Sequence, residues 1–428
     1  MSHRQGTVWW QTELVGHLNE NEHTLMEFRY AEAWLTGKPF PISISLPIEA
    51  RDTWQAAHSF FAGLLPEGAM RQRVSRQYRI AENDDMGLLL AIGGDCAGAL
   101  SVLPIGVISS ELPIEPQLID ETTFERLVAH RGILGGSSLS TSPPRFSLAG
   151  VQDKLPVISD QGRFFLPDAH NPSSHILKFE TIKRVCFAEY IANQMACKLG
   201  LNVVPTQYQT KSLGKNGFAW LLIDRYDRMQ SADGRLVRLH QEDILQALGM
   251  PTHAKYQSDG GVSLRGIGEM LRHYLALPAK ALAQLRDWQI FNFLIGNWDG
   301  HGKNLALLYT PGSAAPTLAP FYDLVAIEFL NQLTPAQYAR EMALYIGDEK
   351  IPERITKPQW QLMAKHLAMP PKPLLERVAH IAEQLPYIAT QCRAEFAAQH
   401  GDTAMYEKLV NMVSKRCRWT LETLGKLK

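Results

Sequence analysis

Residues 295–323 constrain this chain more than any other stretch. They read Ile295-Gly296-Asn297-Trp298-Asp299-Gly300-His301-Gly302-Lys303-Asn304, then an apolar run, a turn, and Phe321-Tyr322-Asp323. Leu282, Leu285, Trp288, Phe291, Leu294 and Ile295 precede the loop at helical spacing, and Gly296 is placed to cap that helix. Residues 305–309 are short, apolar and strand-like, Thr310-Pro311-Gly312-Ser313 carries turn chemistry, and 317–321 can return as the partner strand. A hairpin centred near Ser313 makes Asn304 and Asp323 neighbours, beside a loop that holds Asp299.

Those residue types suit phosphate chemistry. Magnesium is a hard cation that takes one or two protein oxygens and leaves its other positions to phosphates and water, a role that Asn304 and Asp323 fit. Asp299, five residues before Asn304, has the spacing at which an aspartate accepts a hydroxyl proton and an asparagine holds metal. His301 and Lys303 lie close enough along the chain to reach a transferring phosphoryl group. The plainer reading is a polar loop between a helix and a hairpin, since an Asp-x-x-x-x-Asn spacing alone is common.

At 428 residues the chain has room for two or three domains, and 45% hydrophobic content with balanced charge fits a globular protein. A formal net charge of zero excludes strong global steering toward nucleic acid, though not a local basic patch. No window is apolar enough to span a membrane, and the first residues lack the pattern of a signal peptide, so a cytoplasmic location is expected. Cys96, Cys186, Cys197, Cys392 and Cys417 show no Cys-x-x-Cys spacing. Buried, reduced thiols are expected, with neither a zinc site nor a disulfide framework.

The N-terminal hundred or so residues read as a small α+β unit: a hairpin through Val8-Trp9-Trp10 and 14–18, a strand over 25–30, an alternating strand over 41–47, and helical patterns beyond Trp54. No chemistry is legible there, and its aromatic residues read as core. The Gly/Ser/Pro-rich run 131–144 marks a boundary. Two domains joined by a linker follow from this: 1–125, the linker over 126–145, and 146–428, the last divided at 228 into a nucleotide-binding and a helical part. Ser147-Leu148-Ala149-Gly150-Val151-Gln152-Asp153-Lys154 then opens a strand, where backbone N–H groups could cradle phosphates or simply form a turn.

Ser174-His175-Ile176-Leu177-Lys178-Phe179 is strand-like, and a lysine in such an apolar setting wants an anion. Glu189, one turn into the helical run 184–199, could pair with it to position phosphates, or make only a structural contact. The strand through 217–223 runs into Asp224-Arg225-Tyr226-Asp227-Arg228, where backbone groups of Asp224 and Tyr226 could meet adenine. Helices are expected over 241–248 with Gly249 as cap, over 264–277 and 281–295, and from 359 onward, punctuated by Pro370, Pro371, Pro373 and Pro386. The basic residues Lys415, Arg416, Arg418, Lys426 and Lys428 read as a solvated helix face.

With these motifs in order, the sequence resembles the HipA family of serine/threonine-kinase toxins. The resemblance rests on 147–154, His175-Ile176-Leu177-Lys178, 224–228, Leu239-His240-Gln241-Glu242-Asp243, Ser258-Asp259-Gly260-Gly261, the Asp299-to-Asn304 loop and Phe321-Tyr322-Asp323. More loosely, 61–68 and Ile92-Gly93-Gly94-Asp95-Cys96-Ala97-Gly98-Ala99 look like the family's N-terminal subdomain. The resemblance implies an α+β, two-lobed protein-kinase-like fold related to phosphoinositide kinases, with an N-terminal α+β subdomain and a mostly helical C-terminal lobe. It implies ATP and Mg2+ as cofactors, with Asp299 as catalytic base and His301 beside it. Asn304 and Asp323 would be the metal ligands. Gly150, Val151, Gln152, Lys154, Lys178, Asp224, Tyr226 and Lys303 would contact ATP. Ser147 matches the family's autophosphorylated serine. A helix-turn-helix, HipB-like antitoxin, operator DNA reached through it, and an aminoacyl-tRNA synthetase as substrate are implied as partners, with no membrane. Trp298, Asp153 and Asp224 depart from the family's usual residues without removing a group the chemistry needs. A kinase of small-molecule or lipid hydroxyls, or a catalytically idle partner of a DNA-binding antitoxin, are the alternative readings.

Overall fold

The computed structural model describes residues 4–37, 40–50, 53–107, 117–130, 154–168, 171–213, 215–313, 315–334, 340–401 and 404–427. The chain forms two compact units. The first comprises Met1–Thr181, Gln207–Thr252 and Leu307–Gly312, and the second Ile182–Thr206, His253–Ala306 and Ser313–Lys428.

The first unit begins with a five-stranded sheet in the order Gln55–Ala56, Met26–Tyr30, Glu13–Glu20, Gln5–Trp10, Leu100–Pro104. Its pairings are antiparallel. Alternation puts Val8, Leu18 and Phe28 on the buried face, Val15 is buried at an irregularity of the pairing, and Phe60, Phe61, Leu88 and Leu89 from short helices join them in the core. Trp10, Trp34 and Phe40 pack edge-on and tilted against one another, so these aromatic residues are core, as expected. The strand expected over 41–47 is instead a turn closed by a Ser43–Leu46 bridge. A distant carboxylate overrides the local alternation. Glu242 accepts from Ser43 Oγ (2.6 Å), from the Ile44 N–H (3.1 Å) and from the Tyr309 hydroxyl, and Ser45 Oγ donates to the Gln246 carbonyl at 2.8 Å.

A second sheet of this unit runs Thr206–Leu213, Asn216–Asp224, His175–Phe179, Lys154–Asp160, Arg163–Leu166, Gln117–Ile119. Leu127 and Val128 of the helix Glu121–Ala129 pack with Ile119, Leu155, Leu177 and Trp220 to fill its core. Residue 125 therefore falls inside a helix, and the strand before that helix pairs with Arg163–Leu166. The helix expected over 241–248 is a buried strand, His240–Asp243, followed by a short helix, Ile244–Ala247. The capping box of Asp243 and Gln246 starts the helix late: each side chain satisfies the other residue's backbone N–H at 2.9 Å.

The second unit is helical: Val185–Lys198, Leu264–Tyr274, Pro278–Ile295, Ile327–Leu333, Lys357–His366, Pro371–His400 and Ala404–Thr423. Pro386 does not interrupt the helix Pro371–His400. Leu385, Ile388 and Ala389 are buried on either side of it, and this packing outweighs the single backbone bond that proline removes. Arg416 is not on a solvated face: its guanidinium lies 4.6 Å from the centre of the Trp298 ring and 5.4 Å from that of Phe293. Lys415, Arg418 and Lys426 are exposed, while Lys428 lies outside the described residues. None of the five cysteines is in a disulfide, and Cys197 is exposed where burial was expected. Among the described residues no helix is long and apolar enough to cross a membrane.

Burial pushes the Glu242 carboxyl up from 4.5 to about 7, against the lowering effect of its bonds to Ser43, Tyr309 and Ile44. The folded chain thus holds this proton more tightly than the unfolded chain. Its stabilisation is complete below about pH 4.5 and is lost as pH rises to about 7. Glu242→Gln supplies a permanently neutral group with one acceptor and one donor end. It should be more stable than wild type by about 1–3 kcal/mol at pH 8 and no more stable near pH 4.5, as measured by urea unfolding at both pH values.

Candidate active site

Three hydrogen bonds in the second unit fold residues 295–328 into a closed loop. The Ala319 N–H donates to the Ala306 carbonyl at 2.8 Å, which forms the hairpin. Nearer its open end the Tyr322 hydroxyl donates to the Lys303 carbonyl at 2.8 Å. The Glu328 N–H then donates to the Gly296 carbonyl at 2.9 Å. Asn304 and Asp323 each sit one residue from the middle bond, so the two expected metal ligands flank a pinned point. The 202–204 segment adds a fourth restraint. Phe321 donates its N–H to Asn202 O (2.7 Å) and accepts from the Val204 N–H (3.0 Å).

Asp323 adopts φ +54°, in the left-handed region that most side chains avoid. Backbone strain of this kind, kept only where surrounding contacts over-determine it, is characteristic of functional sites. Asn304 is buried, and its Oδ1 accepts from the His301 N–H at 3.0 Å, which fixes the amide and leaves an oxygen lone pair for a cation. The donor set is one carboxylate and one amide oxygen, hard and few, and it suits a magnesium ion that is otherwise coordinated by phosphate. Among the described residues no group of three or more His, Cys, Asp or Glu side chains could hold a metal.

Asp299 is exposed at the head of the loop. Its N–H donates to Asn297 Oδ1 at 3.2 Å, and Asn297 Nδ2 in turn donates to Asn292 Oδ1 at 3.0 Å, within the helix Pro278–Ile295. Asp299 is thus mounted on a buried amide pair. Sequence reading missed this pair, and it also missed Tyr256, whose hydroxyl donates to Asp299 Oδ1 at 2.8 Å and whose ring lies 5.5 Å from that of His301. Tyr256 is 43 residues away along the chain, just before the Ser258-Asp259-Gly260-Gly261 motif, and no spacing rule ties it to the loop. Trp298 is buried. Its indole N–H donates to Glu328 at 3.2 Å, under the Arg416 guanidinium, so its bulk serves the helical core. His301 and Lys303 are buried as well.

In the first unit Lys154 and Lys178 are direct cross-strand partners of the antiparallel pair Lys154–Asp160 and His175–Phe179. Side chains directly opposite share a face, and like charges there repel, so the pair calls for anions. Asp224 ends the strand Asn216–Asp224, with Oδ1 3.2 Å from His175 Nε2. The Tyr226 hydroxyl donates to Gln241 Oε1. Glu189 is buried on Val185–Lys198 in the second unit, and its pairing with Lys178 of the first stays an expectation. Ser147, Gly150, Val151, Gln152 and Asp153 lie outside the described residues.

Residues 6–103 match the family model described as HipA N-terminal domain, and residues 146–388, more than half the chain, match that described as HipA-like C-terminal domain. The chain belongs to the HipA family. This is a family of serine/threonine-kinase toxins, and membership makes the chain an enzyme of the kinase class. A protein of Sinorhizobium fredii described as a kinase, Y4mE, is 32% identical over 433 residues, covering 98% of this chain and 99% of its own length. The serine/threonine-protein kinase toxin HipA of Shewanella oneidensis is 28% identical over 358 residues, 81% of this chain and 79% of that one. The solved structure of Shewanella oneidensis HipA with HipB and operator DNA superposes with a TM-score of 0.82 at 24% identity, covering 98% of both chains. That likeness establishes the HipA fold, α+β and two-lobed in the manner of kinases.

The Gly296 cap is the most exacting backbone position of the loop: φ is +70°, and an added Cβ would lie 2.5 Å from Glu328 Cβ. Gly296→Ala should cost about 2–4 kcal/mol, against about 1 kcal/mol for Gly312→Ala, which has a similar φ but open space. Equal losses in urea unfolding would contradict the tight Gly296–Glu328 approach.

Proposed function

We propose that this chain transfers the γ-phosphoryl group of ATP to serine or threonine hydroxyls of proteins, with magnesium required. The observation that carries the reading is the pinned loop, which gathers a proton acceptor, an oriented amide oxygen and a strained carboxylate within 25 residues, Asp299 to Asp323. In the proposed reaction the acceptor oxygen bonds to the γ-phosphorus, the bond to ADP breaks, and the hydroxyl proton passes to the Asp299 carboxylate, which Tyr256 holds in place. Asn304 and Asp323 would hold magnesium, which when bound neutralises phosphate charge. His301 and Lys303 would line the transferring group. Lys154 and Lys178 would supply the cationic face for phosphates. The backbone of Asp224 and Tyr226 would meet adenine, and Gly150, Val151 and Gln152 would cover the phosphates.

As its biological role we propose a toxin held in check by a helix-turn-helix antitoxin and acting in the cytoplasm. Support comes from the Shewanella oneidensis complex, in which HipA is assembled with HipB and operator DNA. An aminoacyl-tRNA synthetase is the proposed protein substrate, and Ser147 the proposed site of self-phosphorylation. A phosphoserine there adds a charge of about −1.5 to −2 close to residues meant to wrap ATP phosphates, and so silences the enzyme.

Purified full-length protein incubated with labelled ATP and magnesium should incorporate phosphate, first in the peptide that contains Ser147. Asp299→Ala should incorporate it about 10²–10⁴-fold more slowly. Equal incorporation by the two proteins, or none by either into itself or any protein of a cell lysate, would overturn the proposal.

A further inference from the structure

Sequence reading found no chemistry in the N-terminal subdomain, yet residues 94–98 of that subdomain make a set of polar contacts with residues 225–228, all within the first unit. The Asp95 carboxylate accepts from Arg228 Nη2 (3.0 Å) and Ser173 Oγ (2.7 Å) and lies 3.3 Å from Arg238 Nη2 and 3.7 Å from Arg225 Nη1. The Cys96 carbonyl accepts from Arg225 Nη2 at 3.2 Å. The Gly98 N–H donates to Asp227 Oδ2 at 2.7 Å, and its carbonyl accepts from Arg228 Nη1 at 3.2 Å. Asp227 in turn binds Arg225 through both oxygens, at 2.9 and 2.6 Å. These side chains are 2–5% exposed.

Charge and fit make this more than a surface contact. Two carboxylates serve three arginines in a dry interior: Arg225 and Arg228 contact both Asp95 and Asp227, and Arg238 contacts Asp95, so removing Asp95 would leave Arg225 and Arg228 with Asp227 and take away the carboxylate beside Arg238. Gly98 has φ +80°, and a Cβ there would sit 2.9 Å from the Gln241 backbone nitrogen, the residue whose side chain accepts from the Tyr226 hydroxyl. Loop backbone is therefore pressed against the strand backbone at Gln241, while the Asp95 carboxylate reaches both Arg225 and Arg228.

We infer that the 94–98 loop is the positioning element of the nucleotide hinge, with Asp95 as its central positioning residue, so that the N-terminal subdomain sets ATP affinity without touching ATP. The inference rests on the reading of Asp224 and Tyr226 as the adenine contact. A hinge held by four arginine-carboxylate contacts presents its backbone groups in one conformation, and a loosened hinge loses ground-state nucleotide binding more than it loses the transfer step.

The test uses full-length protein and measures the KM for ATP, kcat at saturating ATP and the melting temperature of each variant. Asp95→Asn keeps the shape and removes the charge, and should raise the KM for ATP about tenfold with kcat within about threefold of wild type. Tyr30→Phe removes two buried bonds of the N-terminal subdomain, to the Leu46 carbonyl at 2.6 Å and from the Ile42 N–H at 2.9 Å, neither involving 94–98 or 225–228, and should lower the melting temperature while leaving KM within about twofold. Should Asp95→Asn fail to fold, Ser173→Ala, which deletes bonds to both Asp95 and Arg225, decides with an expected rise in KM of about threefold. A folded Asp95→Asn, or failing that Ser173→Ala, with wild-type KM overturns the inference while leaving the kinase reading intact. Wild-type protein that binds no ATP overturns both.

Discussion

A tyrosine hydroxyl closes the part of this molecule on which the proposed chemistry depends. Tyr322 donates to the carbonyl of Lys303 across the open end of a hairpin, and the two residues next to that bond, Asn304 and Asp323, are the ones suited to a hard cation. Neither would be informative alone, because asparagines and aspartates are common in loops. The fold gives them meaning by fixing their separation from both sides. The strand pairing at Ala306 and Ala319 sets the register, and the Gly296–Glu328 bond ties the loop's beginning to the helix after Asp323. The left-handed backbone of Asp323 is tolerated because Phe321, two residues earlier, is held in place by the 202–204 segment.

The first unit solves a different problem. Its apolar cores are ordinary, but between strands it buries carboxylates and guanidinium groups that would be expensive to desolvate if left alone. Burial would raise the Asp227 carboxyl, yet Arg225 and Arg228 hold it far below the usual carboxylate range. Burial and the neighbouring Arg225 bring Arg228 down to about 10 despite two carboxylates. Apolar residues of similar volume would often be at least as stabilising as such ion pairs, so their presence points to specificity of arrangement. They join residues 94–98 to 225–228, and Glu242 does the same for residues 43–44 and Tyr309.

Much of the site was legible because it is local. The helical periodicity before Gly296, the turn residues 310–313 and the return to Asp323 lie within one continuous stretch, and the helix Pro278–Ile295 with its left-handed glycine cap follows that reading closely. The features that were not legible involve partners distant in sequence. Residues 41–47 alternate like a strand, but Glu242, some 200 positions away, bends them into a turn. Residues 241–248 look helical until the Asp243–Gln246 capping box delays the helix. Pro386 should break a helix, and packing keeps that helix intact. Arg416 reads as solvated until Trp298 is found beneath it, and Tyr256 carries no mark of its bond to Asp299. Periodicity reports which face is buried; it does not report which charge waits there.

The central claim is that Asn304 and Asp323 hold one divalent ion together. Manganese, a spectroscopic stand-in for magnesium, should bind the full-length protein with ATP at one site detectable by electron paramagnetic resonance. Asp323→Asn and Asn304→Ala should each weaken that site about tenfold or more, and the double variant should be little weaker than either, because the two ligands act as a unit. Manganese affinity that is unchanged in both single variants, or losses that simply add in the double variant, would contradict the account.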